Sequence, residues 1–76
     1  MTKFKVGKSY EWYQKEYGCI KVIRRTPRTI TVTNGNGNWK MLIFHDENMD
    51  EYVVDMSVPK SWRDAFTCSA NWIKED

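Results

Sequence analysis

Two cysteines, Cys19 and Cys68, and one histidine, His45, are the residues from which covalent chemistry would be built. A thiol becomes a nucleophile when a base holds it as thiolate, so the imidazole must reach a sulfur. No motif surrounds any of the three, and the chain is not expected to be an enzyme. Metal chemistry is excluded on similar grounds. Zinc needs several nitrogen or thiolate ligands together, and one histidine with two widely separated cysteines does not supply that spacing. The acidic run His45-Asp46-Glu47-Asn48-Met49-Asp50-Glu51 lacks the glycine and terminal glutamate of a calcium loop. It reads as a solvated turn, or more weakly as a phosphate mimic facing a basic groove. No metal and no cofactor is expected. Both cysteines are expected as free thiols, packed as small hydrophobes.

Binding chemistry is better represented. Trp12, Tyr13 and Tyr17 are interleaved with Lys8 and Lys15, and Arg24, Arg25 and Arg28 follow. Aromatic faces stack on bases while lysine and arginine follow phosphates, so this set is a candidate nucleic-acid surface. The competing reading puts several of these aromatics in the core, because a small domain needs large side chains to fill it. A second set, Trp62, Arg63, Phe66 and Trp72, lies late in the chain. Its residue types are those of interface hot spots. The competing reading folds this tail back over one end of the domain.

Charge is unevenly distributed. Residues 1–40 hold nine basic and two acidic side chains, and residues 41–76 hold three basic and eight acidic ones, for a net charge of +2. Such a split fits either a basic surface or two halves that pair across neighbouring strands.

These residues must be positioned by a short chain. Its 76 residues form one domain, residues 1–76, with a thin core. There is no apolar run of membrane-spanning length, and the basic N-terminus has no apolar stretch behind it, so a cytosolic protein without membrane contact is expected. Alternating β-branched and aromatic residues predict strands. They fall at 9–13 (Tyr10 and Trp12 on one face), 19–26 (Ile20 and Val22 on one face) and 29–33 (Ile30 and Val32 inward). Asn34-Gly35-Asn36-Gly37-Asn38 predicts a hairpin turn. A fourth strand at 39–45, apolar on both faces, is expected to be central, and a fifth falls at 52–56. Ser57 and Pro59 suggest a capped helical turn carrying Trp62, Ala65 and Phe66 on one face, followed by an edge strand at 66–73. The expected architecture is all-β. It is a small antiparallel barrel of five to six strands, Src-homology-3-like, with a short helical turn near the C-terminus.

Phe4-Lys5-Val6-Gly7-Lys8-Ser9-Tyr10 resembles the opening of short small-β-barrel proteins of Gram-positive phages, prophages and mobile elements. Arg25-Thr26-Pro27-Arg28-Thr29-Ile30-Thr31-Val32 is similar to their central strand. Glu51-Tyr52-Val53 and Ser69-Ala70 fall at their shorter signatures. Pro27 and the segment from Trp62 to Phe66 depart from the pattern. The resemblance implies an accessory protein in the bacterial host cytosol. Such a protein would bind a host protein or protein–nucleic-acid complex, for instance as an anti-CRISPR-like inhibitor of a defence nuclease. Direct nucleic-acid binding is the alternative.

Overall fold

The computed structural model describes residues 1–74. Glu75 and Asp76, counted in the acidic half, lie outside the described residues. Among the described residues, alternation produces seven strands in two antiparallel sheets. β1 (Ser9–Glu11), β2 (Cys19–Arg25), β3 (Thr29–Thr33) and β4 (Asn38–Leu42) form a four-stranded meander. β5 (Phe44–His45), β6 (Glu51–Val54) and β7 (Thr67–Ser69) form the second sheet.

The inward positions are those the alternation marks. Tyr10, Ile20, Val22, Ile30, Val32 and Met41 from the first sheet, and Trp12 just beyond β1, bury with Val53 and Cys68 of the second, and Ala70 and Phe4 complete the core. The β3–β4 hairpin turns through Gly35, whose φ of 93° is the left-handed conformation that favours glycine. Asn34 Oδ1 accepts the Asn36 N–H and fixes the turn locally.

A β-bulge in β2 has the largest consequence. Val22 faces Val32, but the next cross-strand pair is Arg24 with Thr31, so Ile23 is an extra residue. Without it, simple alternation would turn Arg24 inward and Arg25 outward. With it, Ile23 and Arg24 both face solvent, and Arg25 lies opposite buried Ile30 on the inner face.

Two expectations about the strands are corrected. The predicted fourth strand divides into β4 and β5, which belong to different sheets. The Ile43 N–H bonds the Arg28 carbonyl at 2.7 Å, and the chain then crosses to pair Phe44 with Tyr52. The apolar run Met41 to Phe44 marks this crossing. β4 is an edge strand rather than a central one, and Leu42 is 61% exposed. The fifth strand starts one residue earlier and ends at Val54, which puts Glu51 inside it.

The tail is also corrected. Its helical turn is a 3-10 segment, Lys60–Trp62, too short to gather Trp62, Ala65 and Phe66 on one helical face. Ser57 does not cap it, and both the backbone N–H and the hydroxyl of Ser57 bond Asp55 instead. The expected strand at 66–73 shrinks to β7, and a turn from Ser69 to Trp72 follows. Ile73 then bridges Tyr10. The tail covers the outer edge of β1, where Glu11 N–H bonds the Trp72 carbonyl, Tyr13 N–H the Thr67 carbonyl and Lys74 N–H the Ser9 carbonyl. An edge that would invite foreign strands is thereby filled. Among the described residues no helix is long and apolar enough to cross a membrane.

Candidate functional site

The residues proposed for nucleic acid are brought together only in part, with Trp12, Tyr13 and Lys15 around one cavity and the arginines elsewhere. Trp12 is 5% exposed and packs edge-to-face on Phe66, so it is a core residue. Arg25 is committed to Glu51 by two hydrogen bonds, Nη1 to Oε1 at 2.8 Å and Nη2 to Oε2 at 2.9 Å. Its Nη1 also bonds the Phe4 carbonyl at 2.7 Å, and the Phe4 N–H bonds Glu51 Oε1 at 2.8 Å. Burial pushes the Glu51 carboxyl up most strongly. The hydrogen bonds from Arg25 and Phe4 and the positive charge of Arg25 together bring it below its ordinary value. This pair joins the basic and acidic halves of the chain. It also removes Glu51 from the solvated turn, whose remainder is organised by Asp46 Oδ1 accepting the Asn48 and Asp50 N–H groups.

Lys8, Arg24 and Arg28 are exposed, and the two arginines lie at the end of β2 remote from Tyr17. Tyr17 precedes the start of β2, whereas Arg24 and Arg28 flank its end. A strand rises about 3.3 Å per residue, which separates the two groups by roughly 15–20 Å along the sheet. The outer face of β2–β4 gathers Lys21, Arg24 and Lys40 with Thr29, Thr31 and Thr33, and no carboxylate lies among the outward residues of those strands. Sequence reasoning missed Lys21 and Lys40. Their signal was the alternation itself, which turns both away from the core.

The aromatics of the two proposed sets converge instead. The N–H groups of Tyr13 and Gln14 bond the Thr67 and Ala65 carbonyls, laying residues 13–17 beside the tail. Tyr17 stacks on Phe66 with ring centroids 4.7 Å apart and planes 17° apart. Tyr13 meets Trp72 at 5.8 Å. Tyr13 is 62% exposed, Tyr17 47% and Trp72 37%, so the cluster opens to solvent. Trp62, 55% exposed, heads the turn that delivers Phe66.

Two members of the late set are not free surface. Phe66 is half-buried against the core, between Trp12 and Tyr17. Arg63 is half-buried, with Nη2 directed at the Met56 carbonyl. The tail therefore both closes one end of the domain and presents aromatic surface.

Beneath Tyr13 and Trp72 lies a cavity of about 380 Å³, lined also by Glu11, Trp12, Lys15 and Ile73. Its rim carries opposite charges, with Lys15 Nζ 3.8 Å from Glu11 Oε2. Glu16 and Asp64 lie exposed on the adjoining segments. Mixed charge around apolar rings suits a protein side chain better than a phosphate chain.

The groups considered for covalent chemistry are not arranged for it. Cys68 is fully buried opposite Val53, and burial pushes its thiol up to about 12, away from the thiolate. Cys19 is half-buried in β2 and both cysteines are free thiols. His45 is exposed and paired with Glu51 in the β5–β6 ladder. No protein-family model, curated protein or solved structure matches the chain.

Proposed function

We propose that this chain is a non-enzymatic binding protein that engages a host protein through the aromatic surface formed by Tyr13, Tyr17, Trp72 and Trp62. The carrying observation is that rings from residues 13–17 meet rings from the tail, Tyr13 against Trp72 at a cavity with a mixed-charge rim and Tyr17 stacked on Phe66. Aromatic residues supply large contact area at small entropic cost and dominate interface energetics. The two sheets, joined by the tail on β1 and by the crossing at Ile43, are read as a partly open barrel of the Src-homology-3 type. The resemblance to phage and mobile-element proteins suggests the partner class. That class is a host protein that handles nucleic acid, such as a defence nuclease, with the protein acting in the host cytosol as an inhibitor.

The test is capture from a Gram-positive host lysate by the wild type, by Tyr13→Ala/Trp72→Ala and by Arg24→Ala/Arg28→Ala. A partner retained by the arginine variant and lost by the aromatic one supports the reading. A partner retained by both, or no partner at all, opposes it.

A second reading, direct nucleic-acid binding, rests on the carboxylate-free basic face of β2–β4. Counterion release makes such binding fall steeply with salt. Absence of binding to single- and double-stranded DNA and RNA at low salt would remove it.

A further inference from the structure

We infer that the free edge of β4 is a second interaction site, which accepts an extended acidic peptide segment as an added strand. β4 ends its sheet, and among the described residues only β3 pairs with it. The Ile43 N–H to Arg28 carbonyl bond fixes which backbone groups point where. In an antiparallel ladder hydrogen-bonded pairs alternate, so Met41 with Ile30 and Trp39 with Val32 face inward along the sheet. The N–H and C=O groups of Lys40 and Leu42 therefore point outward from the edge. No hydrogen bond fills them among the described residues.

The opposite wall has the same character. Asp55 N–H bonds the Phe66 carbonyl and Ala70 N–H the Glu51 carbonyl, so the backbone groups of Val54 and Met56 point away from β7, towards β4. Pairing between β5 and β6 stops at Phe44 with Tyr52. Beyond it the walls enclose a cleft of about 560 Å³, lined by Trp39, Met41, Leu42, Phe44, Val54 and Met56 among others. A further polar group lies unused at this cleft, because the indole Nε1–H of Trp39 is sealed from solvent and has no acceptor among the described residues. Strand addition uses main-chain bonds for affinity and alternate side chains for specificity.

Charge selects the occupant. Arg24, Thr31 and Lys40 form a cross-strand row that ends at this edge. The residue of an added strand opposite Lys40 continues that row on the carboxylate-free outer face. A glutamate or aspartate is favoured there, with apolar neighbours on either side turned towards the cleft. Asp55, on the far wall, is occupied by Ser57. A second copy of this chain paired symmetrically about Lys40 would set two ammonium groups against each other. This site shares no lining residue with the Tyr13–Trp72 cavity, so either can fail without the other.

The probe is a dye-labelled hexapeptide of alternating valine and glutamate, followed by fluorescence anisotropy on the full chain. A valine–lysine hexapeptide and an N-methylated copy of the first serve as controls. Tighter binding of the glutamate peptide by about fivefold or more is expected from the charge pairing. The N-methylated copy is expected to lose binding, and Lys40→Glu to reverse the preference between the two peptides. Lys40 is exposed, so this variant should fold normally. Three results overturn the inference. They are equal binding of both peptides, undiminished binding of the N-methylated copy, and a dimer in sedimentation that Lys40→Glu dissociates.

Discussion

The guanidinium of Arg25 and the carboxylate of Glu51 meet as a two-pronged pair across the interior, at 2.8 and 2.9 Å, with the Glu51 side chain 2% exposed. The pair also holds both polar backbone groups of Phe4. Three separate parts of the chain are thus fastened at one point: the N-terminal segment, the end of β2 and the start of β6.

Breaking this pair leaves a buried charge without compensation. Arg25→Ala is expected to destabilise the fold by about 3–5 kcal/mol, most of what a domain of this size possesses. Arg25→Met/Glu51→Leu should recover much of that loss, because it removes both charges together. Urea unfolding of the three proteins, followed by tryptophan fluorescence, checks the ordering.

The same pair sets the acid limit. The Glu51 carboxyl lies below its ordinary value in the folded state, so its contribution to stability is full above the unfolded pKa. That contribution is lost as pH falls below about 4.5 and through the folded value. Asp50 acts in the same direction, lowered by hydrogen bonds from Asn71 and Thr2. The urea midpoint of the wild type should drop through this range, and that of Glu51→Gln should drop less.

Most of the first sheet was legible from the residues. Tyr10, Trp12, Ile20, Val22, Ile30 and Val32 all face the core as alternation requires. The bulge at Ile23 was not legible. One extra residue inverts every later side chain on that strand, and nothing in the run Val22-Ile23-Arg24-Arg25 marks where it falls. That inversion puts Arg25 inside and Arg24 outside, the reverse of what alternation alone would give. The tail was ambiguous for a different reason. Its order comes from bonds to residues 9–14, far away in sequence, rather than from a period of its own. The convergence of Tyr13 with Trp72 is a product of the same long-range bonds.

The thiols should behave differently from each other. Cys68 is fully buried and raised to about 12, whereas Cys19 is half-buried. A thiol reagent at neutral pH is expected to modify Cys19 alone, and both after denaturation, as read by mass spectrometry. Because the folded value of Cys68 lies above the unfolded one, its contribution holds below about pH 9 and declines as pH rises towards 12. Cys68→Ala should flatten that alkaline decline.

The two rings of the aromatic surface should contribute unequally to folding. Tyr13 is 62% exposed, so Tyr13→Ala is expected to lower stability by less than about 1 kcal/mol, whereas Trp72, 37% exposed, buries most of its ring and Trp72→Ala is expected to cost about 1–3 kcal/mol. Thermal unfolding of each variant checks this, and it must hold before any loss of binding is attributed to contact.

On the proposed function, the ring pair Tyr13–Trp72, rather than the exposed arginines, contacts the partner. The most direct measurement is the affinity of the captured host partner for Tyr13→Ala/Trp72→Ala and for Arg24→Ala/Arg28→Ala, both shown to be folded. A loss of at least about tenfold, some 1.4 kcal/mol, is expected for the aromatic variant, with little change for the arginine variant. Unchanged affinity in the aromatic variant, with a salt-sensitive loss in the arginine variant, would contradict it.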